Sequence, residues 1–118
     1  MLGVRLPPHP RADIHPDDAG HVDRGLGGMS VAPAWRDLPY FLIPNRLKHL
    51  QPDARGKASL HCFRFDDGPF IECTINERLI LKPDSDKHAT VQPTKLIPVV
   101  EFQQALADTR EDWHIDEV

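Results

Sequence analysis

The apolar residues of this chain come in short runs, most of them cut off by proline, glycine or aspartate before they reach helix length. The clearest alternation spans Ala58 to Phe65. Ser59, His61, Phe63 and Phe65 fall on one side and Ala58, Leu60, Cys62 and Arg64 on the other, as a strand requires. Asp66-Asp67-Gly68-Pro69 follows as a turn, so Phe70 to Ile75 is expected to return as its hairpin partner. Leu79 to Lys82 and His88 to Gln92 read as two further strands, separated by the breaker Pro83-Asp84-Ser85-Asp86. Residues 2–6 and 29–32 read as short strands near the start. After Pro98 the period changes. Val99, Phe102, Leu106 and Trp113 recur at helical spacing, with Glu101, Gln104, Asp108 and Glu111 off that stripe. Proline suits the first helical position, where a missing N–H has no partner to lose.

Between these elements the pattern is looser. Residues 7–28 are rich in Pro, Asp, His and Gly and read as a long loop, expected to be mobile from its composition. Residues 37–44 are apolar with a proline near each end, 45–50 fit one or two helical turns, and 52–56 form a turn. Many short strands, long loops and one amphipathic C-terminal helix give an α+β class. A length of 118 residues fits one domain, 1–118, with a single modest core.

Composition narrows the function classes. The chain is 40% apolar and 27% charged, within the globular range, and carries a formal charge of −4. That balance argues against duplex DNA or an anionic membrane as partner. The local cluster Arg46, Lys48, His49, Arg55 and Lys57 lacks interleaved aromatics and reads as a solvated face. Cys62 and Cys73 do not make a disulfide framework and read as small buried hydrophobes in a reducing compartment. Met1 to Leu6 stops at Pro7-Pro8, too short for a leader's apolar region, so a cytoplasmic site of action is expected. His9, His15 and His21 stand six residues apart, wider than zinc pairs prefer, so no metal site is expected. There is no phosphate loop ending in Lys-Ser/Thr and no Gly-x-Ser-x-Gly elbow.

Two stretches carry candidate chemistry: Gly27-Gly28-Met29-Ser30-Val31 and His88-Ala89-Thr90-Val91-Gln92-Pro93. Each sets one polar side chain, Ser30 or His88, in a short β-prone run. Displayed beside a glycine turn, the two suit a cleft for a small polar ligand. A serine hydroxyl both donates and accepts, an imidazole works as a base near neutral pH, and glycines let backbone approach a ligand. Trp35 and Tyr40 flank the Ser30 strand, where they either stack on a base or fill the core. Plainer readings stand beside these. Ser30 also fits a turn residue after two glycines, His88 a strand histidine bonded to a carbonyl, and Arg5 a surface charge.

These two stretches, with Thr94-Lys95 and the amphipathic segment Val99 to Trp113, resemble the type VI secretion effector toxins that have an ADP-ribosyltransferase-like fold. That family has a similar Gly-Gly-x-Ser-Val element and a similar His-x-Thr-hydrophobic-x-Pro strand leading to a helix. The resemblance covers about a third of the chain. It implies a small split β-sheet clasping NAD or a related nucleotide. By position in the pattern, Arg5 would hold phosphate or ribose, Ser30 would shape the nicotinamide pocket, and His88 would stand at the third catalytic place. Gly28, Met29, Trp35 and Tyr40 would border the ligand. It also implies a cytoplasmic target and a cognate immunity protein as partner; the alternative is a non-catalytic ligand- or protein-binding module on the same fold. The chain departs from the family at the third place, usually Glu. Glu72, Glu77 and Glu101 are the carboxylates weighed as substitutes. Val4-Arg5-Leu6 also stands where the family carries Leu-Tyr-Arg.

Overall fold

Short apolar runs bounded by breakers give short strands. The computed structural model, which describes residues 2–65 and 69–115, has eight of them among those residues, with one α-helix. They are β1 (His21–Val22), β2 (Met29–Val31), β3 (Phe63–Arg64), β4 (Cys73–Thr74), β5 (Leu79–Pro83), β6 (Ala89–Pro93), β7 (Ile97–Pro98) and β8 (His114–Ile115), with α1 at Val99–Ala107 between β7 and β8. The class is α+β. The strands form three separate antiparallel sheets: β2-β6-β5-β4, β1-β7 and β3-β8.

The β5–β6 hairpin is the centre of the largest sheet. Both strands end on proline, which cannot extend the ladder as a donor. Leu79 pairs with Pro93 and Pro83 with Ala89. On the far side of β6, Met29, Ser30 and Val31 pair with Val91, Thr90 and Ala89. Alternation then sorts β2: Met29 is buried and Ser30 is exposed. The main core gathers Ile14, Val22, Met29, Leu79, Val91, Ile97, Phe102 and Leu106. The helix meets it with Phe102, Ala105 and Leu106, the i, i+3, i+4 face of an amphipathic helix. A second, smaller core holds Trp35, Ile43, Leu47, Ala54 and Cys62, built from three short 3-10 turns rather than strands.

Several sequence expectations are corrected. Residues 2–6 form no strand; Val4 is extended against α1, where Gln103 accepts from the Val4 N–H (3.1 Å) and donates to its carbonyl (2.9 Å). One side-chain amide thus replaces a β-bridge. Residues 7–28 hold more regular structure than a plain loop: β1 lies there, Ile14 bridges Gly27, and Ile14 and Val22 are fully buried. The run 58–65 yields only β3, whose partner is β8 and not 70–75. The expected turn at Asp66, Asp67 and Gly68 lies outside the described residues. Phe70 to Ile75 contributes β4 instead, paired with β5. The helix ends at Ala107, so Trp113 is not on it. The Trp113 indole N–H donates to Thr109 Oγ1 (3.0 Å), and Thr109 donates to the Leu106 carbonyl (2.7 Å), which docks the ring on the core from beyond the helix. Cys62 is buried but Cys73 is exposed on the edge strand. No helix among the described residues is long and apolar enough to cross a membrane.

Candidate functional site

The β2–β6 pair presents two polar side chains on one sheet face. Ser30 stands opposite Thr90, and His88 lies two residues before Thr90, so strand parity puts it on the Ser30 side. Opposite them runs the stretch Asp37 to Leu42, held by Trp35 in the second core. Between the two lies a cleft of about 290 Å³. Val31, Leu38, Phe41 and Leu42 give it an apolar wall. Its polar groups are Arg5, Ser30, Asp37, Lys87 and His88. The structure therefore brings together the three residues that head the sequence reading, Arg5, Ser30 and His88, from three distant parts of the chain. A second hollow of about 220 Å³ shares Asp37, Leu38, Pro39 and Lys87 with the cleft and adds Arg36 and Tyr40.

Gly28, Met29 and Trp35 are placed elsewhere. A Cβ on Gly28 would stand 2.1 Å from the Val91 carbonyl oxygen, so this glycine serves the close approach of β2 to β6 rather than an approach to a ligand. Gly27, at φ +104°, lies in the left-handed region against the Asp13 carbonyl, where it bridges the 13–14 segment. The Met29 sulfur accepts the Gly3 N–H within the core. Trp35 is 7% exposed and packs in the second core, with the Arg36 guanidinium 5.1 Å from its ring centroid. Tyr40 is exposed at the adjoining hollow.

Arg5 is held, not loose. Its Nε and Nη2 donate to the two Asp13 oxygens (both 3.1 Å), and its backbone N–H donates to Oδ2 (2.6 Å). Burial pushes the Asp13 carboxyl up. The Arg5 side chain, backbone N–H and charge outweigh that, and hold it below the usual carboxylate range. The hydrogen bond to Asp13 raises the Arg5 pKa in turn. The Arg5 Nη1 group makes no hydrogen bond among the described residues and is the part of the guanidinium left for an anion.

His88 sits at the end of the turn that joins β5 to β6. Its carbonyl accepts the N–H groups of Asp84 (3.1 Å) and Ser85 (3.3 Å), and its Nδ1 lies 2.8 and 2.9 Å from the two Asp84 oxygens. Sequence reasoning missed both carboxylates here. Asp84 was visible only as part of a breaker, although its place four residues before His88 across a tight turn was a usable signal. Asp37 carried no local signal; only the packing of Trp35 turns it into the cleft. Glu72 is engaged with Lys82 (3.5 Å), and neither it nor Glu77 nor Glu101 borders the cleft. No protein-family model, curated protein or solved structure matches this chain, so the reading of its function rests on this cleft.

Proposed function

We propose that this chain is a toxin domain of ADP-ribosyltransferase type, which binds NAD or a related nucleotide in this cleft and modifies a target in the cytoplasm. One observation carries the reading: Arg5, Ser30 and His88, singled out in that order by the resemblance, border a single cleft. One wall of the cleft comes from the large sheet and the other from the stretch 37–42, so the clasp here is sheet against 3-10 turns. The residues suit the ligand. The Arg5 Nη1 and the Lys87 ammonium offer cationic donors to a diphosphate. The Ser30 hydroxyl both donates and accepts, as a carboxamide or ribose partner must. Leu38 and Phe41 offer an apolar wall to a ring. Asp37 supplies a carboxylate in the cleft, the charge that suits a cationic, oxocarbenium-like transition state where His88 replaces the family's Glu. A cognate immunity protein belongs to the same proposal, as a partner that closes the cleft.

A direct test is nicotinamide release from NAD by the purified chain. The parent should turn NAD over, and Ser30→Ala and His88→Ala should each lower kcat by about 10²-fold or more while the fold stays intact. Equal turnover by all three would refute the assignment. The runner-up reading, a non-catalytic binding module, is favoured by one feature: Asp13 already occupies the Nε–Nη2 edge of the Arg5 guanidinium. Binding of NAD without turnover is the result that would select it.

A further inference from the structure

We propose that Asp84 is a positioning residue for His88, fixing it as the Nδ1–H tautomer so that Nε2 is the acceptor offered to a hydroxyl in the cleft. The inference deepens the ADP-ribosyltransferase reading and rests on it only for the identity of the ligand. A carboxylate has no proton to donate at neutral pH, so an imidazole nitrogen 2.8 and 2.9 Å from both of its oxygens must itself carry the hydrogen. In a neutral ring the other nitrogen then holds a lone pair. His88 Nε2 makes no hydrogen bond among the described residues, and His88 lines the cleft together with Ser30.

The turn holds this geometry through backbone as well as side chain. Pro83 ends β5, the Asp84 and Ser85 N–H groups both close on the His88 carbonyl, and Ala89 begins β6 directly after. Backbone and side chain of the same two residues are therefore tied twice. The pair is not a buried staple: the side chains are 44% and 63% exposed for His88 and Asp84. A salt bridge this open adds little to stability. What it does determine is which ring nitrogen is basic. The ligand chemistry that fits an acceptor there is an O–H group, as on a ribose. In a transfer step from NAD, an acceptor's O–H would give its proton to Nε2 as its oxygen bonds the ribose C1′, and the C1′–N bond would break with its electron pair leaving on nicotinamide. The resulting imidazolium would retain its Nδ1–H on Asp84.

Long-range ¹⁵N–¹H NMR of the labelled chain near pH ~8.5, where an ordinary imidazole is neutral, reads the tautomer without any substitution. The parent should give the Nδ1–H pattern at His88. Asp84→Ala should shift it toward Nε2–H, the form a free neutral imidazole favours, because no acceptor then faces Nδ1. An Nε2–H pattern in the parent, or no change in Asp84→Ala, would overturn the inference. The second arm titrates ADP-ribose. The His88 Nε2 resonance should move in the parent, and affinity should drop about tenfold in Asp84→Ala. An unmoved resonance on a bound ligand would overturn the acceptor role. Failure of ADP-ribose to bind the parent would count against the nucleotide reading alone, because the tautomer arm decides the role of Asp84 without any ligand.

Discussion

At the scale of single residues, the site is a set of held groups. Asp13 fixes Arg5, Asp84 fixes His88, and Gln103 fixes the Val4 peptide next to Arg5. Replacing Gln103 by Ala removes both bonds to Val4 and should cost about 1–3 kcal/mol of stability, read from urea unfolding. It should also weaken binding through Arg5, whereas a change confined to stability would separate the segment from the site. Asp13 gives a pH dependence of known sign. Its carboxyl lies below its ordinary value of 3.8 in the folded chain, so its pairing stabilises fully above that pH. The contribution fades as pH falls through the ordinary and then the folded value. Acid unfolding of Asp13→Asn should therefore show a shallower fall in stability below pH ~4 than the parent does. Identical slopes would mean that Asp13 keeps no special pairing in the fold.

At the scale of elements, what could be read from the sequence depended on whether an element carries its own boundary. Strands β5 and β6 are each legible because apolar runs and the breaker at Pro83 specify them locally, but their pairing as a hairpin was not read. The helix start is legible from Pro98, but not its end: Trp113 continues the spacing by lying against the helix through Thr109 rather than by belonging to it. Strands β3 and β8 are two residues each and exist only because each finds the other across some fifty residues, which no local pattern encodes. The glycine pair was legible as a close approach, but the partner it approaches is backbone. Gly28→Ala should consequently cost about 2–4 kcal/mol, since its Cβ would meet the Val91 carbonyl at 2.1 Å and force β2 from β6. An unchanged unfolding midpoint would contradict that account. Ser30 and His88 were legible as cleft residues because strand alternation turns both outward; Asp37 was not, since a 3-10 turn anchored by a distant core has no sequence period of its own.

At the scale of the whole molecule, two cores replace the single one expected from length. The Cα radius of gyration is 14.6 Å, above the ~13.5 Å of an evenly compact chain of this size, and the extents are 46 × 32 × 27 Å. The cleft borders the Ser30–Ala32 end of the large sheet on one side and the stretch leading from Trp35 on the other. The chain's net charge is −4, yet Arg5, Lys87 and Arg36 line the cleft and its adjoining hollow. Asp37 and the Asp13 paired with Arg5 offset part of that charge, and anion binding through the cleft's cations should weaken as ionic strength rises. The toxin role proposed for this cleft is tested by the growth of a bacterial host. Tightly controlled cytoplasmic expression of the parent should arrest growth, and Ser30→Ala or His88→Ala, expressed at the same level and folded, should restore it. Unimpaired growth with the parent, or arrest that persists in both variants, would contradict the account.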